Sequence, residues 1–297
     1  MRVLVSGSSG FIGSALVDAL EAAGHTPLTL VRGPAEYEGE ISWDIGAGRL
    51  DPSDLAGVEG VVHLAGAGIG DHRWTDDYKR EILDSRMKGT SLLVRALAAM
   101  DVPPAVLVSG SAIGFYGDRG DEVLTEASGG GGGFLADVAR AWEKAAAPAA
   151  AAGIRTLLLR TGLVLAARGG TLGQLMPLFK WGLGGPLGNG RQWWSWIGLD
   201  DEVGAILHCL ETPSSAGPVN ATAPNPVTNA EFSKTLGKTL HRPAFLRTPR
   251  PALVAALGPE RAHELVLASQ RVLPKALEES GYVFRHPTLG DLAPTLR

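Results

Sequence analysis

The feature that most constrains this chain is Gly7-Ser8-Ser9-Gly10-Phe11-Ile12-Gly13, set between the apolar run Arg2-Val3-Leu4-Val5-Ser6 and a periodic stretch from Phe11 to Ala23. The order is strand, tight glycine turn, helix. Gly7 bends sharply out of the strand, Gly10 leaves backbone open to an approaching anion, and Gly13 lets the helix pack against the sheet. Unpaired N–H groups at the helix start then face that anion, which makes the turn a phosphate cradle. In a chain with 40 glycines such spacing also arises by chance, and a plain strand-turn-helix is the competing reading. The strand before the turn and the helix after it favour the cradle.

The alternation continues. Thr29-Leu30-Val31, Ile41 to Asp44, Gly60 to Ala65, Ala105 to Ser109 and Arg155 to Arg160 read as further strands, with Pro27 near the start of the second. Helices are expected over Asp76 to Ala99 and Phe134 to Ala147 from their apolar spacing. This rhythm predicts an α/β fold, a doubly wound parallel sheet with ligands at the carboxyl ends of the strands. After residue 165 glycines and prolines break the rhythm. The expected division is a dinucleotide-binding domain over 1–165, rejoined by 195–225, and a smaller, mostly helical substrate-side lobe over 166–194 and 226–297.

An apolar share of 45% in 297 residues suffices for a substantial core. The apolar-looking stretches, such as Ala145 to Ala152, are short, so no membrane partner is expected. Met1 runs directly into the first strand without room for an export signal, which predicts a cytoplasmic protein. A net charge of −4 without a dense lysine or arginine run argues against nucleic acid. The single cysteine, Cys209, lies in an apolar helix and reads as a buried thiol. Seven scattered histidines give no metal-ligand spacing, so no metal site is expected.

The glycine spacing, three-and-three, joins Val62-His63-Leu64-Ala65-Gly66, Val106 to Ser111 followed by Phe115-Tyr116-Gly117, and Leu159 to Leu165. Together these motifs resemble the extended short-chain dehydrogenase/reductases. Arg73-Trp74, Ser85-Arg86, Gly184-Gly185-Pro186, Trp194 to Asp201 and Asn225 to Phe232 are similar to an atypical, NAD(P)-dependent epimerase-like branch. The resemblance implies a Rossmann fold with a dinucleotide across Gly7 to Gly13. It implies Leu64, Ala65 and Gly66 near the ribose and nicotinamide side, and Ser109 to Ser111 near the reactive ring. It also implies a polar residue at Arg86 facing the cofactor, against which stands a surface ion pair with Glu81 or Asp84.

Dinucleotide folds place either a carboxylate for the ribose hydroxyl or an arginine for a 2′-phosphate at the end of the second strand. Arg32 stands there, and no Asp or Glu lies between Leu28 and Pro34. The expected cofactor is NADP(H), with a solvated strand-end arginine as the bland alternative.

A conventional member carries a tyrosine four residues before a lysine on the helix after the fifth strand. Here that helix reads Phe134-Leu135-Ala136-Asp137-Val138-Ala139-Arg140-Ala141-Trp142-Glu143-Lys144, with Phe or Leu at one position and Val or Ala at the other. The ordinary proton relay has no phenol on this helix. The resemblance makes Ser111 the candidate hydroxyl donor to a carbonyl oxygen, Ser109 its fallback and Tyr116 a further titratable candidate. His63, among apolar neighbours, reads as a core hydrogen-bonding residue. Trp74, with His72, Arg73 and Lys79 at a strand's carboxyl edge, Arg191 and Trp194 are candidate substrate-pocket residues. Asp200 and Asp201 read as caps of the following helix.

Two functions compete on this reading. One is an oxidoreductase or epimerase-like enzyme with a small-molecule substrate; the other is a non-catalytic NADP(H)-binding sensor or interaction protein. No sequence feature sets the substrate or the oligomeric state.

Overall fold

The computed structural model describes residues 1–167 and 169–296; Arg168 and Arg297, within the expected lobe ranges, lie outside the described residues. Along the chain run β1 (Arg2–Ser6), α1 (Phe11–Ala22), β2 (Thr26–Val31), β3 (Glu40–Ser42), β4 (Gly60–His63), α2 (Asp76–Ala98) and β5 (Val106–Ala112). They are followed by β6 (Val123–Leu124), α3 (Phe134–Ala146), α4 (Pro148–Ala151), β7 (Arg155–Thr161), β8 (Leu163–Leu165) and α5 (Gly170–Lys180). Then come β9 (Trp193–Trp194), β10 (Trp196–Gly198), α6 (Leu199–Glu211), β11 (Gly217–Ala221), β12 (Val227–Thr228), α7 (Asn229–Thr239) and β13 (Arg271–Val272).

The main sheet has the order β11-β7-β5-β4-β1-β2-β3. The pairs β1–β2, β1–β4, β2–β3 and β4–β5 are parallel, with Ser6 opposite His63 and His63 opposite Ser109. Chain order reverses between β1 and β4, so the crevice of this doubly wound α/β fold opens beside the glycine turn. Unbroken burial of β4 and of Val106 to Gly110 fits strands covered on both faces.

The chain divides into two compact units, Met1–Ser111 with Val138–Leu159 and Val203–Val219, and Ala112–Asp137 with Arg160–Glu202 and Asn220–Arg297. Set beside the expected ranges, residues 112–137, 160–165, 195–202 and 220–225 group with the second unit, and of the expected returning segment 203–219 groups with the first. The first unit packs Leu4, Leu30, Val61, Leu93, Leu97 and Leu107 into one core under α2. The second has its own core around Leu172, Phe179, Trp196, Phe232 and Leu292. Its strands are short ladders, β8 with β10, β9 with β12 and β6 with β13.

One expectation fails locally. α6 starts at Leu199, which puts Asp201 inside its first turn rather than at a cap. The buried Asp201 carboxylate instead accepts from the backbone N–H groups of Arg285 (2.7 Å) and His286 (2.9 Å) and lies 3.2 Å from the Tyr282 hydroxyl. It anchors the 282–286 segment.

Candidate functional site

The cradle is built by three glycines for three different reasons. Gly7 has φ +73°, and a Cβ there would stand 3.0 Å from Ala65 N. Gly10 N donates to Gly7 O at 3.0 Å, closing the turn. A Cβ on Gly13 would stand 2.1 Å from Gly7 O, so the helix packs directly on the turn. Any side chain at 7 or 13 pushes the turn open. α1 begins at Phe11 without a side-chain cap, leaving its first N–H groups and its positive end to an outside anion. Ser8 and Ser9 lie in the turn itself, and Phe11 and Ile12 are half-buried in the first helical turn. These features fit a dinucleotide pyrophosphate.

Behind the cradle, Ser6 Oγ accepts from Leu64 N (3.2 Å) and Ala65 N (3.3 Å) and pairs with His63 Nδ1 at 2.6 Å. With both lone pairs of Ser6 occupied, its proton goes to Nδ1, which assigns the ring proton to Nε2, 2.9 Å from Thr90 Oγ1. Burial first, then the Arg86 charge, hold the His63 imidazole down to about 4, so it is neutral. His63 is thus a core residue that sets the backbone at Leu64 and Ala65.

In front of that segment, Arg86 Nη1 donates to Ala67 O (2.9 Å) and Ile82 O (3.1 Å), and Ser85 Oγ accepts from Ala67 N at 3.0 Å. Glu81 and Asp84 are not the partners of these contacts; Asp84 pairs with Lys88 instead. Burial lowers the Arg86 guanidinium to about 10, still charged at neutral pH. A Cβ on Gly66 would lie 3.0 Å from Arg86 Cζ, so the glycine admits the guanidinium. The guanidinium sits 5.0 Å above the Trp142 ring. That indole in turn covers Gly110, where a Cβ would meet it at 2.7 Å.

Ser109 is fully buried, with Oγ 3.5 Å from Gly110 O, too long for a strong bond. Ser111, at the carboxyl end of β5, donates to Glu143 Oε1 at 2.7 Å. The expected donor to a carbonyl oxygen therefore spends its proton on a carboxylate. Glu143 escaped the sequence reading. Its signal was an acid three residues before Ala146 and four after Ala139, on the apolar stripe of α3 that buries both.

Arg32, at the end of β2, lines a cleft of about 800 Å³ with Ser42, Asp44, Arg49, Asp84 and Lys88. Arg49 is paired with Asp44 at 3.2 Å and Lys88 with Asp84 at 2.7 Å. Arg32 is exposed and has no ion-pair partner among the described residues. Trp74, also in this unit, is half-buried with Nε1 donating to Ile69 O at 2.8 Å.

The other candidates belong to the second unit. Tyr116 is fully buried, its hydroxyl 2.7 Å from Asn220 Oδ1 and 3.0 Å from Thr125 O, and it accepts from Arg160 Nη1 at 2.9 Å. Burial pushes its phenol up. An enclosed hydroxyl with three partners has no face for a substrate, so the geometry makes Tyr116 structural rather than catalytic. Trp194 packs at 5.0 Å against Phe232 and lines a small apolar cleft with Phe179, Leu183 and Leu187. Arg191 is exposed at the loop before it. Among the described residues no cluster of His, Cys, Asp or Glu has a metal-binding arrangement, and no helix is long and apolar enough to cross a membrane.

Residues 3–221 match the NAD dependent epimerase/dehydratase family, and 248–293 match a domain of unknown function. Epimerase family protein MT2273 of Mycobacterium tuberculosis is 46% identical, over 97% of this chain and 95% of its own length. The crystal structure of human epimerase family protein SDR39U1 (isoform 2) with NADPH superposes with a TM-score of 0.91 at 34% identity, covering 100% of this chain and 99% of that one. A nucleoside-diphosphate sugar epimerase structure from Corynebacterium glutamicum has a TM-score of 0.81 at 38% identity, covering all of this chain and 58% of that one. The glycine interlock, the sheet order and these likenesses converge, and the chain belongs to the NAD dependent epimerase/dehydratase family.

Proposed function

We propose that this protein is an NADP(H)-dependent oxidoreductase of a small-molecule alcohol or carbonyl compound. The observation that carries the reading is Arg32, a guanidinium without an ion-pair partner among the described residues, on the cleft at the end of β2 and in the same unit as the interlocked glycine cradle. The human relative crystallised with NADPH supports the same coenzyme. The pyrophosphate lies on the amides of residues 10–13, the 2′-phosphate meets Arg32, and Leu64 to Gly66 with Arg86 hold the nicotinamide half. The bound coenzyme supplies or accepts a hydride; orientation and proton handling fall to the protein. A cytoplasmic setting accords with a single, buried cysteine.

Coenzyme choice tests this reading. NADPH fluorescence titration is expected to give an affinity at least about tenfold above that for NADH. Arg32→Ala should cost NADPH roughly ten- to a hundredfold and leave NADH nearly unchanged, the worth of one charge-assisted contact. Equal affinities for the two coenzymes overturn the assignment. The absence of a tyrosine from α3 favours a second reading, a coenzyme-binding sensor, for which NADPH binds tightly and no carbonyl compound oxidises it.

A further inference from the structure

Ser111 and Glu143 form a hydroxyl–carboxyl pair at the carboxyl end of the sheet, inside one unit. β5 lies beside β4 in the parallel register His63 opposite Ser109. Ser111, two residues past Ser109, therefore stands at the level where β4 gives way to Leu64-Ala65-Gly66. Ser111 is 4% exposed and Glu143 half-buried, so the pair is shielded from bulk water without being sealed. Its geometry is imposed by the residue next door: Trp142 is wedged between Gly110 and the Arg86 guanidinium, which fixes how far α3 can rotate and where Glu143 reaches. The 2.7 Å O–H···O contact uses the single hydroxyl hydrogen of Ser111. Toward anything outside, the serine then presents lone pairs.

We infer that Ser111 and Glu143 are a serine–carboxylate proton relay, the acid–base pair of this site in place of a tyrosine on α3. The inference rests on the coenzyme reading above. In alcohol oxidation the substrate hydroxyl gives its proton to Ser111 Oγ, while Ser111 gives its own to Glu143 Oε1. The carbinol C–H bond breaks with its electron pair, which leaves as hydride to the oxidised nicotinamide dinucleotide, and the C–O bond becomes C=O. Glu143 ends one proton richer and the coenzyme two electrons richer. In carbonyl reduction each transfer reverses: protonated Glu143 reprotonates Ser111 as Ser111 protonates the carbonyl oxygen and hydride arrives from the reduced coenzyme. A neutral serine is a poor acid or base alone, and the carboxylate gives its proton a destination.

The decisive variant is Glu143→Gln, because an amide oxygen still accepts the Ser111 hydrogen bond and fills the same space but takes no proton. With NADPH and a panel of aromatic ketones and ortho-quinones, Ser111→Ala and Glu143→Gln are each expected to lower turnover about 100-fold or more, and Glu143→Asp to recover part of it. NADPH dissociation constants, read by coenzyme fluorescence, should stay within about twofold across the set, as for groups acting only in the chemical step. Wild-type turnover in Glu143→Gln overturns the relay, since a purely structural bond survives that change. A structure with NADPH bound gives a measurement independent of substrate. Ser111 Oγ must lie within roughly 7 Å of nicotinamide C4, the span that one C–O unit bridges with near-attack contacts on both sides. A larger gap with NADPH bound overturns the relay alone. Failure of NADPH to bind at all overturns the coenzyme reading and the relay with it.

Discussion

His63 in the first unit and Glu202 in the second are both sealed from water, but only His63 has a partner for each polar atom. Each imidazole nitrogen faces a hydroxyl, and burial keeps the ring in the neutral form those partners suit. Glu202 has one oxygen on the Thr161 hydroxyl at 2.7 Å and none on Oε2 among the described residues. Burial pushes its carboxyl up to about 8, because ionising it would leave an uncompensated charge in the interior. A buried titratable group with a complete set of partners is quiet at neutral pH. One with an incomplete set makes its unit pay as soon as the unfolded chain can ionise.

The largest expected effect follows from Glu202. Its folded value, about 8, exceeds the ordinary 4.5, so its stabilising contribution is full below pH 4.5 and lost as pH rises toward 8. The loss amounts to about 5 kcal/mol above pH 8. Glu202→Gln keeps an oxygen for Thr161 and removes the ionisation. Denaturant unfolding should show the variant several kcal/mol more stable than wild type at pH 8.5. Near pH 5 it should be equal or slightly weaker, its amide N–H being buried without a partner. A pH-independent difference between the two proteins would break the comparison.

His63 gives the opposite slope. Its folded value, about 4, lies below the ordinary 6.5, so stability is full above 6.5 and falls by about 3 kcal/mol as pH drops toward 4. Between about pH 4.5 and 6.5 the two slopes nearly cancel in the wild type. Glu202→Gln therefore unmasks the acid-side decline, and ¹⁵N chemical shifts should show His63 as the Nε2–H tautomer down to about pH 5. A protonated ring at pH 6 would show that the Ser6–His63–Thr90 chain is not closed.

How much of this was legible in the sequence depends on the distance between partners. β1, the glycine turn and α1 were readable because strand pattern, closely spaced glycines and helix start lie within one short window. α2 was placed to within a residue at its end by its apolar spacing. Arg32 was readable because it follows its strand immediately. Glu143 was not, since the serine that gives it meaning is 32 residues away, and a lone acid on a helix reads as a solvated face. Tyr116 misled for the same reason: Asn220, 104 positions on, and Arg160 close off its hydroxyl. Asp201 looked like a cap because its partners, Arg285 and His286, lie more than 80 residues downstream. Local rules assign the first unit well, whereas the second is held by bonds from side chains to distant backbone.

The smallest effect sharpens the comparison on the surface. In the first unit Asp84 and Lys88 pair at 2.7 Å across one helical turn, both well exposed at 44% and 61%. In the second, Arg119 meets both oxygens of Glu122, at 2.8 Å from Nε and 2.6 Å from Nη2, and is only 27% exposed. Arg119 also donates to Gly129 O at 3.0 Å, so its side chain is already ordered when the carboxylate arrives. Less rotamer freedom then remains to be lost on pairing, and the planar fork matches the carboxylate. Double-mutant cycles are expected to give about 0.3–0.5 kcal/mol for Asp84–Lys88 and up to about 1 kcal/mol for Arg119–Glu122. Raising the salt should shrink the first more than the second, since the more exposed pair is better screened. If Asp84–Lys88 couples as strongly as Arg119–Glu122, preordering by neighbouring backbone is not what distinguishes the surface pairs of the two units.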